Sequence, residues 1–256
     1  MELTESALYS TLFPFAAVFL RVGAALMVLP GIGDGFVNPR IRLIIALGLT
    51  LVVAPVVEGA LPPAPQTGGA LGILIIWETL YGLFIGLVAR FIIAAVDIAG
   101  MIISFAMSFA NAFVFNPAME AQGSLVSNFL GLIAIVIIYL GDFHHLMLIA
   151  IVDSYSLFEA GTPPPIGDMA DMLSRLLADS FSLGLRMAAP FVTLSLVFYL
   201  GLGLLARLMP QVQIFFVALP MNILLGLIVM AMVLSSAMLF WLEAFQDRFT
   251  GLLAPV

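Results

Sequence analysis

The stretch from Ala70 to Val114 constrains this chain more than any other, because it is apolar almost without interruption. As one straight helix it would be about 65 Å long at roughly 1.5 Å per residue. The hydrocarbon core of a bilayer is only about 30 Å thick. The segment must therefore break, fold back as a hairpin, or continue beyond the bilayer. Gly100 and the small, polar stretch SFAMSFANA that follows are the expected place for the break. FNPAMEAQGS then reads as a loop.

Further apolar segments run from Leu12 to Leu29, Ile41 to Val57, Leu125 to Leu140 and Leu146 to Phe158. The last of these is short for a span, so a helical hairpin or a re-entrant piece fits it, after a break at GDFHH. Asp168, with Asp171 three residues on, is expected to cap a helix and to place acids at its positive end. Met169, Met172, Leu173, Leu176, Leu177 and Phe181 recur there at helical spacing, which predicts an interfacial amphipathic start. The helix runs on to Met209 with a bend at Pro190, and a final helix covers Ile214 to Phe245. Apolar residues make up 63% of the chain and charged ones 9%, against about 45–50% and about 25% in soluble domains. The expectation is an all-α membrane protein of kinked helical hairpins, with about six apolar segments in one domain spanning 1–256 and no separate soluble domain. Glu2 and Glu5 precede the first apolar segment where a signal peptide would carry positive charge, so that segment is expected to be retained.

A net charge of −7 argues against a nucleic-acid partner, and the absence of cysteine removes thiolate metal and haem sites. Neither a nucleophile elbow nor a phosphate loop is present, so neither an enzyme site nor a cofactor is expected. His144 and His145 are adjacent and diverge on a helix, which disfavours a shared metal. Arg40 and Arg42 make the loop before the second helix the best cytoplasmic candidate, with Arg207 and Arg248 as other basic helix ends.

Five charges lie inside apolar runs: Arg21, Glu78, Arg90, Asp97 and Arg186. Each costs roughly 2.5–3.5 kcal/mol at mid-bilayer and needs a partner or water. Two readings stay open: a polar conduit, or interhelical pairs that fix packing. Gly82 and Gly86 in GLFIG offer a thin face for close helix approach. The stretch 104–124 mixes Phe105, Phe109, Phe113 and Phe115 with Met107, Met119, Asn111 and Asn116. It reads either as core packing with a turn at Asn116-Pro117, or as an adaptable apolar loop that seals a passage.

Taken in order, several motifs resemble the FliR family of flagellar and type III secretion export proteins. Arg21 lies in a helix ending near Pro30, and Asn38-Pro39-Arg40-Ile41-Arg42 leads into a helix ending at Pro55. Glu78 and GLFIG follow, then AGMIISFAMSFANAFVFNPAMEAQ and GDFHHLMLIAIVDSY. Late in the chain LGLLARLMPQVQIFFVALPMNILLG, with Arg207, Pro210 and Gln211, resembles the family's Arg-x-x-Pro-Gln segment. The family usually has Gly-Gln where this chain has Gly100-Met101, and often Met-Gly where it has Met107-Ser108.

The resemblance implies a non-enzymatic core subunit of the flagellar protein-export gate in the bacterial inner membrane, within the basal body. FliP-like and FliQ-like subunits would share the channel, an FlhB-like protein would wrap it and an FlhA-like protein would lie below. Unfolded export substrates would pass through, and lipid would cover part of the assembly. The residues that resemble the family's plug are Phe105, Met107, Phe109, Asn111, Phe113, Phe115, Asn116 and Met119. Assembly contacts are expected at Pro39, Arg40, Arg42, Gly82, Gly86, Arg207, Pro210 and Gln211. Alternatives are a virulence-secretion counterpart, or a secondary transporter or ion channel using Glu78, Arg90 and Asp97 as a relay.

Overall fold

The structure, a computed structural model, describes residues 2–109, 124–208 and 214–253. Among these the chain is all α-helical, without strands. The helices are α1 (Glu2–Val28), α2 (Pro39–Val57), α3 (Gly68–Ala106), α4 (Leu125–Leu140), α5 (Phe143–Leu157), α6 (Ile166–Leu208) and α7 (Ile214–Leu253), with a 3-10 turn at Glu58–Ala60. Four of them are long and apolar enough to cross a membrane, or up to five spans if the bent pair α4–α5 counts as one.

Local chemistry sets most boundaries. Asn38 caps α2 by accepting the Arg40 N–H at 2.9 Å, and Pro39 stands where a missing N–H costs nothing. The break before α5 narrows from GDFHH to Gly141-Asp142, with Asp142 at φ 60° and the two helices bent by 75°. Asp168 is not the cap of α6. That helix starts at Ile166, and the Pro165 carbonyl accepts the Met169 N–H at 3.0 Å. Asp168 still sits in the first turn, where the helix dipole favours an acid.

The long apolar run does not break at Gly100. α3 passes through it and ends only at Ala106, inside the Ser-Phe stretch. Gly100 is a packing device: a Cβ there would strike the backbone of Ser127 on α4. Pro190 lies inside α6, which is continuous to Leu208. Met209 lies outside the described residues.

The chain forms two compact units, each assembled from separated stretches. The first holds α1, α2, the N-terminal part of α3 to Phe91, α5 and the start of α6. In it Phe13 and Ala17 of α1 pack with Leu74 of α3. The second unit holds the rest of α3, most of α4, and the bulk of α6 and α7. Gly184 lets α6 meet α3 closely, since a Cβ there would lie 2.7 Å from the Ala95 carbonyl oxygen. On α7 the buried residues Ala218, Asn222, Gly226 and Met230 recur every fourth position, and Trp241 donates to the Ile92 carbonyl at 3.3 Å.

Helix length has a physical consequence. α3 has 39 residues, α6 43 and α7 40, so they extend about 58–65 Å. Fitting 58 Å within the hydrocarbon core would need a tilt of about 60°, beyond the roughly 0–40° seen for membrane helices. A straight helix of this length that crossed the bilayer would project past it. The chain buries 61% of the most apolar window of α3, but only 11% of that of α6 and 17% of that of α7.

Gly100→Ala should destabilise the protein by about 1–3 kcal/mol, because backbone on α4 cannot yield as a side chain would. Gly201→Ala, with nothing near its Cβ, should be neutral or stabilise by up to about 1 kcal/mol. Thermal unfolding in native membranes separates the two.

Candidate functional site

Arg21 and Glu78 are both fully buried, at 0% exposure, and they find each other. Arg21 Nε donates to Glu78 Oε2 at 2.8 Å and Nη2 to Oε1 at 3.1 Å, a two-pronged pair. The remaining donors reach the end of α5. Nη1 donates to the Ser154 carbonyl at 3.1 Å, to Ser154 Oγ at 3.2 Å and to the Phe158 carbonyl at 3.2 Å. Those carbonyls lie at the negative end of a helix and have few other partners, so a guanidinium is the fitting cap. Glu78 Oε1 also accepts the Gly161 N–H at 3.2 Å. Gly161 has φ 80°, a conformation that glycine takes without strain.

The guanidinium stands over two rings, 3.9 Å from the Tyr155 centroid and 4.8 Å from that of Tyr81. Tyr81 stacks on Phe158 at 4.9 Å and donates to the Thr162 carbonyl at 3.3 Å. One arginine thus joins α1, α3, α5 and the loop after α5 in the first unit. Arg21 and Glu78 thus form an interhelical pair.

GLFIG serves the same contact. A Cβ on Gly82 would collide with the Arg21 carbonyl oxygen, and one on Gly86 would lie 2.8 Å from Val28 Cβ and 2.9 Å from the Ala25 carbonyl oxygen. The thin face is occupied by α1, so it is not open to a partner subunit as expected. Its function is to bring α1 close enough for Arg21 to reach Glu78.

Arg90 is likewise paired, with Asp34 in the turn after α1. Asp34 gathers that turn: its carboxylate accepts the Gly31 N–H at 2.7 Å, and its carbonyl accepts from Arg42. Arg42 is thus turned inward, while Arg40 stays exposed. Glu78 and Arg90 are twelve positions apart on α3, about 18 Å along its axis, and each is satisfied by a different partner.

In the second unit Asp97 is exposed on α3, and its backbone carbonyl accepts from Ser127 Oγ at 3.0 Å. Arg186 and Arg207 are exposed on α6. Of the plug residues, Phe105 is 65% exposed, Met107 is buried and Phe109 is half-buried. Asn111, Phe113, Phe115, Asn116 and Met119 lie outside the described residues, as do Pro210 and Gln211.

Sequence reasoning counted charges and so missed uncharged polar groups. Ser108 is buried with Asn222 of α7, whose Nδ2 donates to Ser108 Oγ at 2.8 Å and to the Ala106 carbonyl at 2.9 Å. Asn222 stands inside an apolar run, which was a visible signal. A cluster of Asp142, His144 and His145 places ligand atoms within 4.8 Å of one another. The two rings are not divergent but lie 4.1 Å apart. Ligands on a tetrahedral zinc lie roughly 3.4 Å apart, so the set is loose for that metal.

Glu78→Gln should cost about 3–5 kcal/mol, since it strands a buried guanidinium. Arg21→Met combined with Glu78→Leu should recover most of that loss. Arg90→Gln should cost about 1 kcal/mol or less, because that side chain is 44% exposed. Heat resistance of the folded protein in native membranes measures all three.

Residues 12–248 match the family of bacterial export proteins, family 1. The chain is 42% identical over 232 residues to the flagellar biosynthetic protein FliR of Caulobacter vibrioides, covering 91% of this chain and 92% of that one. It is 32% identical over 228 residues to FliR of Bacillus subtilis, covering 88% and 87%. Identity to FliR of Escherichia coli K12 is 27% over 258 residues, covering 100% and 97%. With the match running through almost all of its helices, the chain belongs to family 1 of the bacterial export proteins, the FliR family.

Proposed function

We propose that this membrane subunit of the flagellar export apparatus is a core part of the export gate. It would sit in the bacterial inner membrane and form the channel with FliP-like and FliQ-like subunits. FlhB-like and FlhA-like proteins would adjoin it, and unfolded flagellar proteins would be the cargo. One observation carries the reading: α6 and α7 are each longer than the hydrocarbon core is thick, and among the described residues only 11% and 17% of their most apolar windows are buried. Leu196, Val197, Leu200 and Leu204 on α6, and Leu224, Leu227, Ile228 and Met232 on α7, are all exposed. Lipid can cover such residues only within its own thickness. Beyond it, other helices must.

The same surface argues against a solute transporter that works alone, as do the separate partners of Glu78 and Arg90. The flagellar names of the relatives support the flagellar version over the virulence one.

In this reading the segment from Phe105 to Met119 supplies the apolar plug of the conduit. Proton gradient and ATPase belong to other subunits.

The chain expressed alone should aggregate or scatter in size in detergent, and co-expression with FliP-like and FliQ-like partners should give one defined complex. A monodisperse, solute-transporting single chain would overturn the proposal. In the assembled complex, deletion of Phe109 to Met119 should raise ion leakage across vesicles at least about ten-fold, the effect of removing a closed-state preference of about 1.4 kcal/mol or more.

A further inference from the structure

We propose that Ser108, Asn222 and Tyr199 form a hydrogen-bonded latch that fixes the direction in which the chain leaves α3. They act as positioning residues of the closed gate, and this inference rests on the gate reading above.

The end of α3 is closed tightly: the Met107 N–H bonds the Ile103 carbonyl at 2.9 Å and the Ser108 N–H bonds that of Phe105 at 3.1 Å. Ser108 then turns the backbone to φ 63°, the left-handed region. A side chain strains there and needs its surroundings to hold it, whereas the glycine common in the family at this position would not. Here the surroundings are complete. Ser108 Oγ lies 2.7 Å from the Tyr199 hydroxyl of α6 and accepts from Asn222 Nδ2 of α7. The second amide hydrogen of Asn222 satisfies the Ala106 carbonyl, a last-turn group without a partner in its own helix.

Packing repeats the arrangement. Gly226, one turn beyond Asn222, leaves a slot for Met107, and a Cβ there would lie 2.7 Å from Met107 Cε and 3.0 Å from Sδ. Ser108 and Asn222 are each 2% exposed, so neither can exchange its partner for water. The chain's return is held separately, by Ser124 Oγ on the Gly100 carbonyl at 3.4 Å and Ser127 Oγ on that of Asp97. Departure is thus tied to α6 and α7, and return to α3 itself. All of these residues belong to the second unit.

The test uses the assembled complex in lipid vesicles, with two readouts: ion leak per complex, and hydrogen exchange of residues 104–108. Asn222→Ala removes both bonds, Tyr199→Phe removes one hydroxyl at constant volume, and Ser108→Gly keeps the backbone while deleting the oxygen. Each should raise exchange; leak should rise about five-fold for Tyr199→Phe, which loses one hydrogen bond, and further for Asn222→Ala and Ser108→Gly, which each lose two. Ser108→Gly with Tyr199→Phe should be no worse than Ser108→Gly alone, because both delete the same bond.

A purely structural role would lower the yield of complex without changing leak per complex, and that result overturns the proposal. Should Asn222→Ala fail to assemble, Tyr199→Phe decides. If deletion of Phe109 to Met119 raises leak while these variants change neither readout, the latch is wrong and the gate stands. If that deletion leaves leak unchanged, the gate reading has failed. The latch is then judged by exchange alone: raised exchange keeps it as an anchor, and unchanged exchange ends it.

Discussion

A buried arginine cannot be left alone, and in the first unit the packing is arranged so that Arg21 is not. Its side chain has no contact with solvent, yet its donors meet a carboxylate, a hydroxyl and two carbonyls at the end of α5. A buried ion pair repays its desolvation only when such further bonds exist. The requirement reaches back into backbone geometry. Glycines at 82 and 86 bring α1 against α3, and a left-handed glycine at 161 lets the loop return to Glu78. The net free energy of such a pair is modest, whereas removing one partner costs far more.

The second constraint is the mismatch between helix length and membrane thickness. Within one chain, three helices near twice the hydrocarbon thickness cannot all be covered. α3 is mostly enclosed by the chain, while α6 and α7 are not. In the proposed gate that surface would be covered by neighbouring subunits. The helices cross Pro14, Pro55, Pro190 and Pro220 without ending. Neighbouring protein can take up the carbonyls such prolines free.

Small residues divide by what they face. Gly82, Gly86, Gly100 and Gly184 are contact points inside the chain, while a Cβ on Gly201 or Gly203 of α6 would have no neighbour within 4 Å among the described residues. No rule of sequence spacing separates the two groups, because glycine reads alike in both. Asp168 shows a similar ambiguity: its residue type suits a cap, but three prolines before it pin the chain so that α6 begins two residues earlier.

The sequence by itself determined that this is a helical membrane protein, where most helices lie, and that Arg21, Glu78 and Arg90 each need a partner. Hydrophobic runs and isolated charges are local properties, and the cost of a charge in an apolar setting does not depend on the fold. Only the tertiary structure decided the pairing. Glu78 takes Arg21 from fifty-seven positions away, and Arg90 takes Asp34 from a turn rather than Asp97 on its own helix. Asn222 likewise meets Ser108 across 114 positions. Such choices rest on which helix faces come within about 3 Å of each other, and that distance is a property of the packed chain rather than of any segment in it.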